Sequence, residues 1–147
     1  MRYIAVHKIE VSDDVRCGVL AFHAITGCDS ISQFWGKSKK MALKIFCAVP
    51  HLLAELEGTA QTNCSPTAQT FSAAEEFVCR LYNPFGDTND IPSFRCTEFR
   101  KGAGKLENLP QTRDALRHHI LRAIIRLLFG EHHTLQTNSK WLDFESD

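Results

Sequence analysis

Apolar residues along this chain recur mostly at spacings of three and four, the period of a helix with one buried face. After a short extended lead-in over residues 1–11, Val15, Val19 and Phe22 begin the series. Ser12 stands where a side chain caps a helix start, and Asp13 and Asp14 lie against the positive end of its dipole. This spacing predicts a helix to Ala24, broken by Thr26-Gly27-Cys28-Asp29-Ser30. A short helical turn over Ile31 to Trp35 meets Gly36. A third helix from about Ser38 carries Ala42, Ile45, Phe46 and Val49 on one side, and Pro50 closes or kinks it before the apolar run through Leu56.

Residues 58–70, GTAQTNCSPTAQT, have no apolar periodicity and read as a loop or linker. Ser72 with Glu75 has the capping-box pattern, followed by Phe77, Val78 and Leu81 in a helix to about Tyr82. Pro84, Gly86, Asp87, Asn89 and Pro92 predict irregular chain to about Lys105. The last helix starts near Thr112 and buries Leu116, Ile120, Ile124, Leu127 and Leu128, with Gly130 ending it. No internal repeat is visible. The reading is a mainly α chain: a helical region over 1–57, a flexible linker over 58–71, a second helical region over 72–130 whose long helix packs back on the first, and an unassigned tail over 131–147.

Composition narrows the functional classes. The chain has 147 residues, 44% hydrophobic, with seventeen basic and seventeen acidic residues, so no global field recruits nucleic acid or anionic membrane and any such binding needs a local patch. The six cysteines lie 11 to 19 residues apart with no CxxC pair, and no His-x3-His spacing accompanies His118, His119, His132 and His133. Neither zinc nor an organic cofactor is expected, the thiols read as reduced and mostly structural, and the histidines as surface residues. The first residues, MRYIAVHKIE, lack the apolar core of a secretory signal, and no apolar run has the length of a bilayer span. These features predict an intracellular protein, nuclear or cytoplasmic, without a membrane partner.

The stretch from His23 to Phe46 carries the most chemistry. Asp29, in a Gly-containing loop, offers a carboxylate to a hard divalent cation such as Mg²⁺ or Mn²⁺, or else caps the following helix. Gly36 and Ser38 leave backbone N–H groups accessible at a helix start, where the dipole favours phosphate. Lys37, Lys39, Lys40 and Lys44 add positive charge, and no acidic residue occurs from Ser30 to Ala54. That is a local phosphate-binding footprint, although a lysine cluster is equally the make-up of a solvated helix face. Phe34 and Trp35 offer rings for stacking on bases, but an aromatic pair beside a turn reads rather as core. Arg113, Arg117, Arg122 and Arg126 read as the solvated face of the last helix.

GCDSISQFWGKSKKMALKI resembles, without a gap, the GCDY, ESI, GIGPKRA and LI stretch of flap endonucleases and their XPG-like and PIN-like relatives. The resemblance implies the C-terminal part of a PIN-like or flap-nuclease-like α/β domain. Asp29 would be one ligand of a two-metal centre, and a helix-two-turn-helix hairpin would grip the DNA backbone through Gly36, Ser38, Lys39 and Lys40. Ser38 replaces the second glycine of that pattern, Lys39 its proline, and Trp35 a polar residue. The chain is also similar to an uncharacterised, mobile-element-associated group of animal proteins with HAFTGCD, FGKGKK and later LPPT, AL, H and RA motifs. These correspond here to His23 through Lys44 and to Leu109-Pro110-Gln111-Thr112 through Ala115, Leu116, His119, Arg122 and Ala123. RYIAVHKI and EEFVCRLY extend the similarity over most of residues 2–123.

Two-metal phosphodiester hydrolysis needs several converging carboxylates. Before Asp29 only Glu10, Asp13 and Asp14 are acidic, and at ~1.5 Å per helical residue Asp13 and Asp14 lie roughly 15 Å or more away. The expectation is therefore a sequence-independent DNA-backbone binding module, catalytically incomplete as this chain, with an upstream nuclease core or a protein partner supplying what is absent. The alternative is a helical protein-interaction or vestigial domain that touches no nucleic acid.

Overall fold

The computed structural model describes residues 12–27, 33–62, 65–102 and 109–141, with side chains through Phe129. The described residues form seven helices and no strand: α1 (Asp13–Arg16), α2 (Val19–Ile25), α3 (Lys39–Ala48), α4 (His51–Gln61), α5 (Ala68–Tyr82), α6 (Ile91–Arg100) and α7 (Arg113–Trp141). The mainly α reading holds. The extended lead-in over 1–11 lies outside the described residues, as do Ile31 and Ser32 of the expected helical turn.

Ser12 caps α1 as its position implies, its Oγ accepting from the Val15 N–H. The helix predicted to run unbroken to Ala24 is divided at Cys17 and Gly18 instead. A Cβ on Gly18 would lie 3.0 Å from the Phe46 ring, so the break coincides with a close approach of α3. Phe46 in turn stacks on Phe22, ring centroids 5.1 Å apart. Glu57, buried on α4, then supplies what α2 lacks: its Oε2 accepts the first-turn Ala21 N–H at 3.3 Å, on the positive end of the helix dipole.

The expected linker is largely helix. α4 continues through Gly58 to Gln61, because burial of Leu52, Leu53, Leu56 and Ala60 outweighs the ~1 kcal/mol a glycine costs inside a helix. α5 begins at Ala68, capped by a reciprocal Thr67–Thr70 pair rather than by Ser72 and Glu75. Thr70 also meets the Thr59 hydroxyl of α4 at 3.1 Å, tying the start of α5 to the last turns of α4. Glu75 is drawn inward, its Oε1 accepting from the Ile91 N–H at 2.9 Å and from Arg113 Nε at 2.8 Å.

The irregular stretch expected from Pro84 to Lys105 contains α6. Pro92 lies in its first turn, where a missing N–H costs nothing, and Asp90 caps it through Ser93. Arg95 of α6 donates to the Pro110 carbonyl, tying α6 to the approach of α7. α7 begins as predicted, with Thr112 Oγ1 accepting from the Ala115 N–H. Gly130 does not end it, since the helical backbone continues to Trp141.

α4 packs on α5, α7 and α2, and α2 on α7, while α3 and α6 lie on α5. One continuous apolar cluster results, from Phe22 and Phe46 through Leu53, Phe77 and Leu81 to Ile91, Leu116 and Ile124. The long last helix does pack back on the first region, as expected. Of the described cysteines only Cys79 is buried, while Cys17, Cys47 and Cys96 are exposed, so the expectation of mostly structural thiols fails for these three. All four are free thiols. Burial, with Glu75, Asp90 and Glu76 nearby, pushes the Cys79 thiol up to about 12.

Candidate nucleic-acid interface

Between α2 and α3 the chain makes a compact turn, with the Lys37 N–H donating to the Phe34 carbonyl at 3.2 Å. Gly36 occupies the left-handed region at φ +68°, with open space where a Cβ would stand. The turn is anchored from two sides. Phe34 enters the core and meets the His119 ring of α7, centroids 4.9 Å apart. The Tyr82 hydroxyl at the end of α5 donates to the Trp35 carbonyl at 3.4 Å, and Lys37 Nζ lies 4.4 Å from the centre of the Tyr82 ring.

This anchoring divides the four lysines. Lys37 is half-buried, and desolvation pulls its ammonium below the ordinary lysine range. Lys39 reaches back to α2, donating to the Gly27 carbonyl at 3.1 Å with His23 Nδ1 also at 3.1 Å. It clamps α3 to the end of α2 at Gly27. Lys40 and Lys44 are exposed and stand one turn apart, where i and i+4 side chains share a helix face. Ser38 caps α3 through the Met41 N–H. Its hydroxyl thus takes one first-turn donor and leaves the helix start to an anion that Lys40 can also reach.

Trp35 is 69% exposed, contrary to the expectation that the Phe34–Trp35 pair is core; only Phe34 is. Tyr82 holds the Trp35 carbonyl inward, and the indole is left on the surface beside Gly36. The turn therefore presents an aromatic face, a left-handed glycine, a helix N-terminus and two lysines in succession.

The surface reading of the histidines fails at His119, which is 1% exposed. Its Nε2–H donates to the Ile25 carbonyl at 2.8 Å, and its buried Nδ1 has no partner. The stretches His23–Lys44 and Leu109–Ala123, far apart in sequence, meet here through His119 against the Ile25 carbonyl and the Phe34 ring. Only the regular spacing of Leu116, His119 and Ala123 on the apolar face hinted that this imidazole points inward.

Asp29 and Cys28 lie outside the described residues. Among the described residues no three His, Cys, Asp or Glu side chains come together as a metal would require. No helix among them is long and apolar enough to cross a membrane. Of the four arginines of α7, Arg113 pairs with Glu75 and lies 3.9 Å from Asp90, and Arg117 stacks 4.6 Å from the Phe71 ring centre. Arg122 and Arg126 are exposed. Comparison of the chain with models of protein families, with curated proteins and with solved structures finds no match.

Proposed function

We propose that this chain is a sequence-independent binding module for the nucleic-acid backbone, acting through the turn Trp35 to Ser38 and the first two turns of α3. The observation that carries the reading is the sorting of the turn's side chains. Lys37 is tied to Tyr82 and Lys39 to Gly27 and His23, while Lys40, Lys44 and the Trp35 ring stand exposed around the α3 N-terminus. Lysines and helix-start amides hold phosphate, and an exposed indole stacks on a base without regard to sequence.

The resemblance to the backbone-gripping hairpin of flap-type and PIN-like nucleases supports this reading, and so does the lack of acidic residues from Ser30 to Ala54. In this reading the module grips the backbone, and cleavage would require carboxylates besides Asp29, from an upstream nuclease core or a partner. Mg²⁺ or Mn²⁺ at Asp29 would then assist positioning and would not suffice for hydrolysis.

Fluorescence anisotropy of labelled flap and duplex DNA tests the proposal. Wild type should bind with an affinity that falls steeply with salt. Lys40→Glu/Lys44→Glu should weaken binding at least tenfold on every sequence and flatten the salt slope by roughly two ions. In metal-free buffer Asp29→Ala should leave binding unchanged. No binding by the folded wild type, or binding indifferent to Lys40 and Lys44, overturns the reading.

A further inference from the structure

The outer face of α7 carries an apolar row left exposed among the described residues. Leu116, His119, Ile120, Ala123, Ile124 and Leu127 turn inward, whereas Leu121, Ile125 and Phe129 are 39%, 50% and 63% exposed. Their spacing of four residues aligns them in one stripe along the helix. Arg122 and Arg126, each one residue further on, form a basic rail beside it, both exposed. Between Arg113 and Phe129 the sequence has one acid, Asp114. An occupant of this face must offer apolar side chains together with carboxylates.

Residues 142–147, Leu-Asp-Phe-Glu-Ser-Asp, have that chemistry. Leu142 and Phe144 alternate with Asp143 and Glu145, Asp147 follows, and no basic residue is among them. Any extended conformation puts Leu142 and Phe144 on one side and the three carboxylates on the other. This segment cannot reach Leu121 and Arg122 of its own helix. α7 is helical to Trp141, so Arg122 lies about 28 Å behind the point where the segment leaves the helix. Six extended residues span at most about 22 Å. The segment of a second copy, with α7 antiparallel, meets no such limit.

We propose that the chain forms a two-fold homodimer in which residues 142–147 of each copy cover Leu121, Ile125 and Phe129 of the other. Asp143, Glu145 and Asp147 meet Arg122 and Arg126. The two contacts are identical and close the assembly, as an isologous interface must. Because Lys40 and Lys44 lie on a different helix, this inference stands or falls independently of nucleic-acid binding.

Sedimentation velocity of the full chain, from low micromolar to about 100 µM, tests it. The wild type should show a concentration-dependent dimer that weakens with salt. Arg122→Glu/Arg126→Glu and, separately, Asp143→Lys/Glu145→Lys should each weaken self-association at least tenfold, with helical circular dichroism retained. Mixing these two proteins should restore dimer, because both contacts of the mixed pair are again opposite in charge. A wild type that stays monomeric throughout, including one that uses this face to bind phosphatidylserine vesicles, overturns the proposal. So does a dimer indifferent to both reversals, or one that mixing fails to restore.

Discussion

His119 loses water from both ring nitrogens and recovers one hydrogen bond, to the Ile25 carbonyl. Desolvation is the largest influence and lowers its proton affinity; the Ile25 bond opposes this, and Arg122 adds to it. The folded state therefore binds this proton less readily than the unfolded chain, whose histidine titrates near 6.5. The unfolded state holds more protons as pH falls through that value, so stability is greatest above it and declines below. Urea midpoints should drop between about pH 7.5 and pH 5.5 in the wild type. The drop should be smaller in His119→Gln, whose amide can still donate to Ile25 but does not titrate. At Gly36 the cost of a side chain is purely conformational, since nothing stands within 4 Å of the added Cβ. Gly36→Ala should lose about 1–2 kcal/mol in denaturant titrations through its left-handed backbone alone.

Helix ends in this molecule are fastened by residues from other helices as much as by local caps. Glu57 of α4 serves the start of α2, and Glu75 of α5 serves the start of α6 while pairing with α7. Glu75→Leu would strand the buried Ile91 N–H, so a loss of about 1–3 kcal/mol is expected in chemical denaturation. Arg113→Met should cost clearly less, because the arginine is half exposed and its ion pair is screened. Thr67→Ala removes the α5 capping box and should cost about 1 kcal/mol by the same measurement. Were Ser72 the true cap, Ser72→Ala would show that loss instead. The exposed position of Ser72 within α5 predicts near-neutrality.

One apolar cluster draws on α2 through α7, crossing the connection between α4 and α5. The region over 72–130 therefore has no core of its own to close. Expressed alone, it should lack dispersed amide resonances and cooperative melting, whereas the full chain should unfold in one transition seen alike by circular dichroism and tryptophan fluorescence. A folded, cooperatively melting 72–130 fragment would contradict this. The same closure gives the lysine turn its shape. Tyr82 of α5 and His119 of α7 hold it from opposite sides, so the surface proposed to meet nucleic acid is built by helices that contribute no lysine to it.

Local pattern alone determined the helices with wide apolar stripes and strong caps: α3 with Ser38, the start of α7 with Thr112, and the end of α5 at Tyr82. It also singled out Gly36 and the lysines of α3, because charge and turn chemistry are properties of the residues themselves. Local pattern misjudged α4 at Gly58, the start of α5, α6 with Pro92 in its first turn, and α7 at Gly130. In each case a glycine, a proline or a polar stretch marked a break, while the helix continued or began there. Along α4 the reason is plain, since burial of Leu56 and Ala60 exceeds the local preference of Gly58. Which lysines are tied to other elements, that Trp35 is outside, and that His119 is inside depended on contacts across long stretches of chain. Only packing assigns Lys37 to Tyr82, Lys39 to Gly27 and His119 to Ile25, because a side chain's partner is set by what the folded backbone brings within reach.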